Sequence, residues 1–233
     1  MTDLTSDSLY EYENLPPDEL EGPWIRLFKV RVSAEPTGPV EITIRHAALK
    51  QLHDPKFWGL SYVWGQASDD VPLTVVDTDG LNKKWLPVRK SLYNLLFILR
   101  ARVSEAPQYG TAPLHEFEFW ADRICINQNN LEERGYQVSL MGEIYWHAYG
   151  IHIWLGQDPG GLTTKAFAEI KRYGDGYWWS RNDEHRFPFL NQSQIEKLDN
   201  DAWRAIAQLL EFQWFERVWI LQEVGLGNKA IMW

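Results

Sequence analysis

Apolar and polar positions alternate over residues 25–32, where Ile25, Leu27, Val30 and Val32 are apolar, and more strictly over 40–44 (VEITI). Period-two patterning marks a strand with one covered face. The intervening Glu35-Pro36-Thr37-Gly38-Pro39 is turn chemistry, so the two segments predict a β-hairpin. Residues 57–65 (FWGLSYVWG) form a short apolar run ending in glycine, which fits a buried strand. A second hairpin is predicted within 71–88, turning at Asp77-Thr78-Asp79-Gly80. The period then changes. Val88, Leu92, Leu95, Leu96 and Leu99 recur at helical spacing and make one apolar stripe.

Residues 103–116, with Pro107, Gly110 and Pro113, read as a loop. Residues 117–126 (FEFWADRICI) read as a strand ending in Asn127-Gln128. A helix follows, with Val138, Met141, Ile144, Tyr145 and Ala148 on one face and Glu132 and Glu133 at its start, where the helix dipole favours acids. Residues 151–155 (IHIWL) are a further short strand closed by Gly156. Residues 157–200 read as an insertion, with one helix near 163–173 and an aromatic cluster of Tyr173, Tyr177, Trp178 and Trp179. Helices at about 200–212 and 214–224 follow, the last running up to Gly225 and Gly227, suitable helix stops. Strands alternating with helices predict an α/β fold with a central parallel sheet, the two hairpins at its edge. Residues 1–23, acidic and carrying Pro16-Pro17 and Pro23, read as an N-terminal arm that Tyr10 and Tyr12 could pin down. Residues 24–233 read as a single domain.

Charge and composition narrow the function. The net charge is −9 and no Lys/Arg run occurs, against the basic face of a nucleic-acid binder. No apolar run approaches the roughly 18 residues of a membrane span. The six His and one Cys show no metal-ligand spacing. Cys125 sits inside an apolar segment and reads as a buried small residue; one cysteine forms no intrachain disulfide, and with no leader evident a cytoplasmic location is expected.

Four segments, in order, carry a family resemblance. They are Leu60-Ser61-Tyr62-Val63-Trp64-Gly65; Asp122-Arg123-Ile124-Cys125-Ile126-Asn127-Gln128; Glu133-Arg134 with Gln137, Met141, Ile144-Tyr145, Ala148 and Ile153-Trp154-Leu155-Gly156; and Trp214-Phe215-Glu216-Arg217-Val218-Trp219-Ile220-Leu221-Gln222-Glu223. Together they resemble the fungal heterokaryon-incompatibility (HET) domain family. The chain departs from the family's usual pattern at Arg123, where a small residue is common, and at Asn129, where Asp is common.

HET domains in turn resemble TIR domains. That resemblance implies a TIR-like, flavodoxin-like central parallel sheet flanked by helices, with residues 58–64, 117–126 and 151–155 as its first three strands. It places the TIR Trp-x-x-x-Glu pattern at Trp219-Ile220-Leu221-Gln222-Glu223. Many TIR domains hydrolyse NAD through this glutamate. The implied function is a cell-death effector of incompatibility and innate immunity that self-associates on activation, with NAD as substrate rather than resident cofactor and Glu223 as the catalytic carboxylate. A non-enzymatic, self-associating signalling module remains the alternative.

On a continuous helix over 214–224, Phe215, Trp219 and Glu223 share a face. Glu223 then lies near the helix C-terminus, where ionisation is disfavoured by about 0.3–1 kcal/mol. Ligands of open parallel sheets bind beyond the strands' carboxyl ends. Ser61, Tyr62 and Trp64 are expected there from one strand, and Asp122, Arg123 and Asn127 from the next. Trp64 or Trp219 would stack on a base, and Arg123 or Arg217 would meet a pyrophosphate. Plainer roles stand beside these. Glu223 could pair with Arg217, Asp122 could cap a turn, Asn127-Gln128 could shape a strand end, and Glu133-Arg134 could be a surface pair at a helix start.

Overall fold

The computed structural model describes residues 8–18, 22–31, 37–52, 57–77, 79–103, 118–158, 160–173 and 200–233. The loop read at 103–116, Val32, and the aromatic positions Tyr177, Trp178 and Trp179 lie outside them, apart from Val103, the last residue of a helix.

Among the described residues, eight strands form one sheet: β1 (Trp24–Val30), β2 (Glu41–Ala48), β3 (Phe57–Tyr62), β4 (Asp70–Val76), β5 (Lys83–Arg89), β6 (Glu118–Trp120), β7 (Gly150–Trp154) and β8 (Ala230–Met232). Their spatial order is β5-β4-β2-β1-β6-β3-β7-β8. Both expected hairpins form, β1 with β2 and β4 with β5, each antiparallel. They occupy one half of the sheet. In the other half β6, β3, β7 and β8 run parallel. Taken in chain order those four strands are arranged 2-1-3-4, the flavodoxin-like order, so the fold is α/β with a parallel core.

Within the parallel half β6, β3 and β7 are buried because they are apolar on both faces, while β8 at the edge stays partly exposed. Every residue of β3 and of β7 is buried, as expected of strands covered by helices on either side. Gly59 is required by close packing, since a Cβ there would lie 2.8 Å from the Tyr145 ring.

The described helices are α1 (Lys90–Val103), α2 (Asp122–Cys125), α3 (Leu131–Ser139), α4 (Met141–His147), α5 (Leu162–Tyr173), α6 (Asn200–Leu210) and α7 (Ile220–Leu226), with a 3-10 turn at Gln213–Glu216. Leu92, Leu95, Leu96 and Leu99 of α1 are fully buried, as the stripe requires, while Val88 belongs to β5. The acidic start of α3 is capped by Asn130, whose side-chain oxygen accepts the N–H groups of Glu132 and Glu133.

Three expectations change. The strand read at 117–126 covers only 118–120; Asp122–Cys125 turn into a short helix closed by the Cys125 N–H donating to the Ala121 carbonyl at 2.8 Å. The helix through Val138 to Ala148 is divided at Leu140 into α3 and α4. The helix read at 214–224 is broken, because Arg217 is extended (φ −79°, ψ 128°) between the 3-10 turn and α7. Glu223 therefore sits in the first turn of α7, at the opposite end of a helix from the one expected. β8, beside β7, was not anticipated; three residues show too little pattern to read as a strand.

The arm is docked at its described residues. The Tyr10 N–H donates to the Trp85 carbonyl at 2.8 Å, and the Tyr12 hydroxyl donates to the Ile124 carbonyl at 2.9 Å. Beneath it lies Arg26, fully buried on β1. Its guanidinium donates to both carboxylate oxygens of Glu133 at 2.5 and 3.0 Å, to the Cys125 carbonyl at 3.1 Å and to the Glu13 carbonyl at 2.7 Å, with the Tyr12 ring 4.9 Å away. Glu133 is thus bound to a buried arginine distant in sequence rather than paired with Arg134 at the surface.

His152, on β7, is buried among Trp58, Phe119 and Trp233 and accepts the Trp233 indole N–H at 2.8 Å. Burial depresses its pKa to about 3. Between the ordinary histidine pKa and that value, the unfolded chain takes up a proton that the native state refuses, so stability falls as pH falls. At ~1.4 kcal/mol per pH unit the loss reaches about 3 kcal/mol by roughly pH 4.5. Urea unfolding at neutral pH and at that acid pH should show an acid-induced loss smaller by that amount in His152→Gln. An equal loss in both proteins would refute a neutral His152.

Candidate functional site

The carboxyl ends of β3 and β6 open onto a cavity of about 600 Å³. The turn after β3 supplies Val63, Trp64, Gly65 and Gln66. Gly65 has φ +74°, a conformation that side-chain-bearing residues rarely adopt, and it bends the chain over the cavity. The segment after β6 supplies Asp122, Ile126 and Gln128; α3 and α4 supply Arg134, Val138 and Met141; the region around α7 supplies Gln213, Arg217, Trp219 and Glu223. The cavity therefore lies where open α/β sheets bind ligands.

Two carboxylates stand in its wall, each held from behind. Glu223 is 1% exposed. It accepts a short hydrogen bond from the Ser61 hydroxyl and a two-pronged contact from Arg217, at 2.8 Å to Oε1 and 3.2 Å to Oε2. Ser61 itself accepts the Trp214 indole N–H at 2.7 Å. Burial raises the Glu223 pKa above the ordinary glutamate value, with Arg217 and Ser61 working against the rise.

Asp122 accepts the Tyr62 hydroxyl at 2.9 Å, the Trp64 indole N–H at 2.8 Å and the Arg123 backbone N–H at 2.7 Å. Its pKa is also raised by burial, against the pull of those donors. Asp122 contributes to the rise at Glu223, and Arg217 lowers both. The break in the last helix makes this arrangement reachable. On a continuous helix, residues six apart are displaced by roughly 9 Å along the axis and face different sides, so Arg217 could not grip Glu223.

Trp64, Asp122, Arg217, Trp219 and Glu223 come together around the cavity, and Ser61 and Tyr62 act from behind as buried donors. Arg123 and Asn127 do not join them. The Arg123 guanidinium contacts Asp70 at 3.3 Å, and Asp70 also binds Arg89. Asn127 shapes its own turn, its side chain accepting the Asn129 N–H at 3.2 Å, while its backbone N–H donates to Glu133. Cys125 is buried, and burial raises its pKa to about 12, so its thiol stays protonated. Sequence reasoning missed Gln66, Gln128, Arg134 and Gln213 as liners. Arg134 stood within a motif already recognised, one helical turn past the Asn130 cap, and that spacing could have found it.

Among the described residues, no group of three or more His, Cys, Asp or Glu side chains could hold a metal ion, and no helix is long and apolar enough to cross a membrane.

Strands β3, β6 and β7 of the parallel half, and both acids of the tryptophan-lined cavity, fall within the residues that one family model spans. The model for heterokaryon incompatibility protein (HET) matches residues 57–223, and the chain belongs to the HET family. Heterokaryon incompatibility protein 6, OR allele, of Neurospora crassa is 30% identical over 198 residues, covering 76% of this chain and 28% of that relative. The chain thus corresponds to little more than a quarter of the relative's length. No solved structure matches it.

Proposed function

We propose that this chain is a cytoplasmic cell-death effector module of the heterokaryon-incompatibility response, acting in fungal self/non-self discrimination and innate immunity. Copies of the chain self-associate on activation, and the cavity beyond β3 and β6 binds NAD and hydrolyses its nicotinamide–ribose bond. One observation carries this reading: the buried carboxylate of Glu223 and the half-buried one of Asp122 share a wall with the indoles of Trp64 and Trp219 and the guanidinium of Arg217. Indoles suit bases, carboxylates suit ribose hydroxyls and positive charge, and a guanidinium suits phosphate.

Nicotinamide leaves a cationic ring as a neutral molecule, so the reaction needs no general acid. The C1′–N1 bond breaks, its electron pair returns to the pyridine nitrogen, and positive charge develops on the ribose as an oxocarbenium ion. Glu223 stabilises that charge. Water adds to C1′ and releases one proton, leaving ADP-ribose. Chromatographic measurement of nicotinamide and ADP-ribose, with dilute and with artificially clustered protein, tests the reading. Absence of both products under either condition would rule it out.

Because burial raises the Glu223 pKa and catalysis needs its anion, kcat/KM should fall on acidification at a pH above the ordinary glutamate range. Arg217 is the principal group opposing the rise. In Arg217→Gln the residual activity should therefore titrate at a still higher pH. A pH–rate profile with the same or a lower acid midpoint would exclude Glu223 as the titrating group.

A specific observation favours the non-enzymatic alternative. Val218 and Leu221 are 78% and 75% exposed beside a half-exposed Trp219, an apolar rim suited to self-association. On that reading the Arg217–Glu223 pair only shapes the rim, and signalling survives Glu223→Gln.

A further inference from the structure

In the resting geometry Glu223 is masked. Both its oxygens are engaged, and the cation that engages them, Arg217, is itself a cavity liner with a side chain 20% exposed. A second guanidinium, Arg134, enters the lining from α3. Its contact to the Gln128 carbonyl is long, at 3.5 Å, so little restrains its head group there. The arginine expected on sequence grounds, Arg123, is turned to Asp70 instead. The lining thus holds two acids and two arginines, and one arginine is spent on one of the acids.

We propose that Arg134 and Arg217 form a diphosphate subsite and that the Arg217–Glu223 pair is an exchangeable latch. A bound diphosphate competes with Glu223 for Arg217. When it wins, Arg217 moves onto the phosphate oxygens, and the carboxylate is freed toward the ribose. The ligand class rests on the nucleotide reading of the cavity; the exchange itself requires no turnover. Guanidinium groups bind phosphate and carboxylate with the same two-pronged geometry, which makes the competition direct. The latch also keeps a buried acid compensated.

The exchange has a consequence opposite to that of ordinary site damage: removing the catalytic charge should strengthen anion binding. Calorimetric titration of inorganic pyrophosphate, without divalent metal, into the whole chain measures it. Glu223→Gln is expected to bind about tenfold more tightly than the wild type, because one charge-assisted contact no longer competes. Arg134→Ala and Arg217→Ala are each expected to bind about tenfold more weakly, and Arg123→Ala to match the wild type. Near-UV circular dichroism establishes that each variant is folded. Unchanged or weaker binding by folded Glu223→Gln would overturn the latch. Wild-type affinity in Arg134→Ala, a variant outside the buried network, would overturn the subsite. A parallel titration with ADP-ribose separates the two proposals. It should follow the same ranking with tighter binding, because Trp64 and Trp219 add stacking; if it binds no better than pyrophosphate, the NAD reading fails while the latch stands.

Discussion

Glu223→Gln is expected to lower nicotinamide release by about 10²–10³-fold with little change in melting temperature. The rate loss follows from removing a preorganised charge aimed at the developing oxocarbenium ion, an electrostatic contribution of that order. Stability responds differently. Burial raises the Glu223 pKa despite Arg217 and Ser61, so the native environment disfavours the anion on balance. A neutral amide of the same shape avoids that cost, and its oxygen still accepts from the Ser61 hydroxyl and one prong of the Arg217 fork, while its NH2 group faces the other prong and offsets part of the gain. Activity and folding are thus expected to separate cleanly. Steady-state assays beside thermal melts check this: a variant with wild-type turnover would remove Glu223 from the chemistry, and one that unfolds would make it a structural residue.

Removing the buried Arg26 should be the largest single loss of stability. Arg26→Met strands the Glu133 carboxylate, whose side chain is 10% exposed, and leaves the Cys125 and Glu13 carbonyls without this donor. Breaking a buried ion pair at one end costs about 3–5 kcal/mol. In a chain of this length that lowers the melting temperature by about 10 °C or more. The double variant Arg26→Met/Glu133→Gln should recover part of the loss, because no unpaired charge stays buried. Additive losses in the double variant would show that the two residues act separately. The pair also ties the arm to α3 and to the segment after β6, which carries Asp122, so docking of the arm and geometry of the cavity share one anchor.

Local pattern was enough where the constraint was local. The alternation at 25–32 and 40–44 marked a hairpin, found as β1 and β2; the apolar runs at 57–65 and 151–155 marked the buried strands β3 and β7; and the leucines of α1 lie on its buried face. The four-motif resemblance placed Ser61, Asp122 and Glu223 in one site although more than 160 residues separate the first from the last. Pattern failed where a single tertiary contact outweighed it. Residues 214–224 have a helical arrangement of apolar positions, yet the chain opens at Arg217, and Phe215, Trp219 and Glu223 do not share one helical face. Arg123 and Arg134 are both arginines beside recognised motifs, and only the folded chain turns one to Asp70 and the other into the cavity.

By itself, then, the order of apolar and polar residues determined most element types and the α/β class, because periodicity and turn chemistry act over a few residues and survive without knowledge of what they pack against; the family was legible only through the resemblance of four motifs. Which carboxylate faces which guanidinium was decided only in three dimensions. Arg26 with Glu133, and Arg217 with Glu223 over Ser61, are chosen by burial, since an ion placed out of water must find a counter-ion within a few ångströms wherever the sheet order happens to bring one.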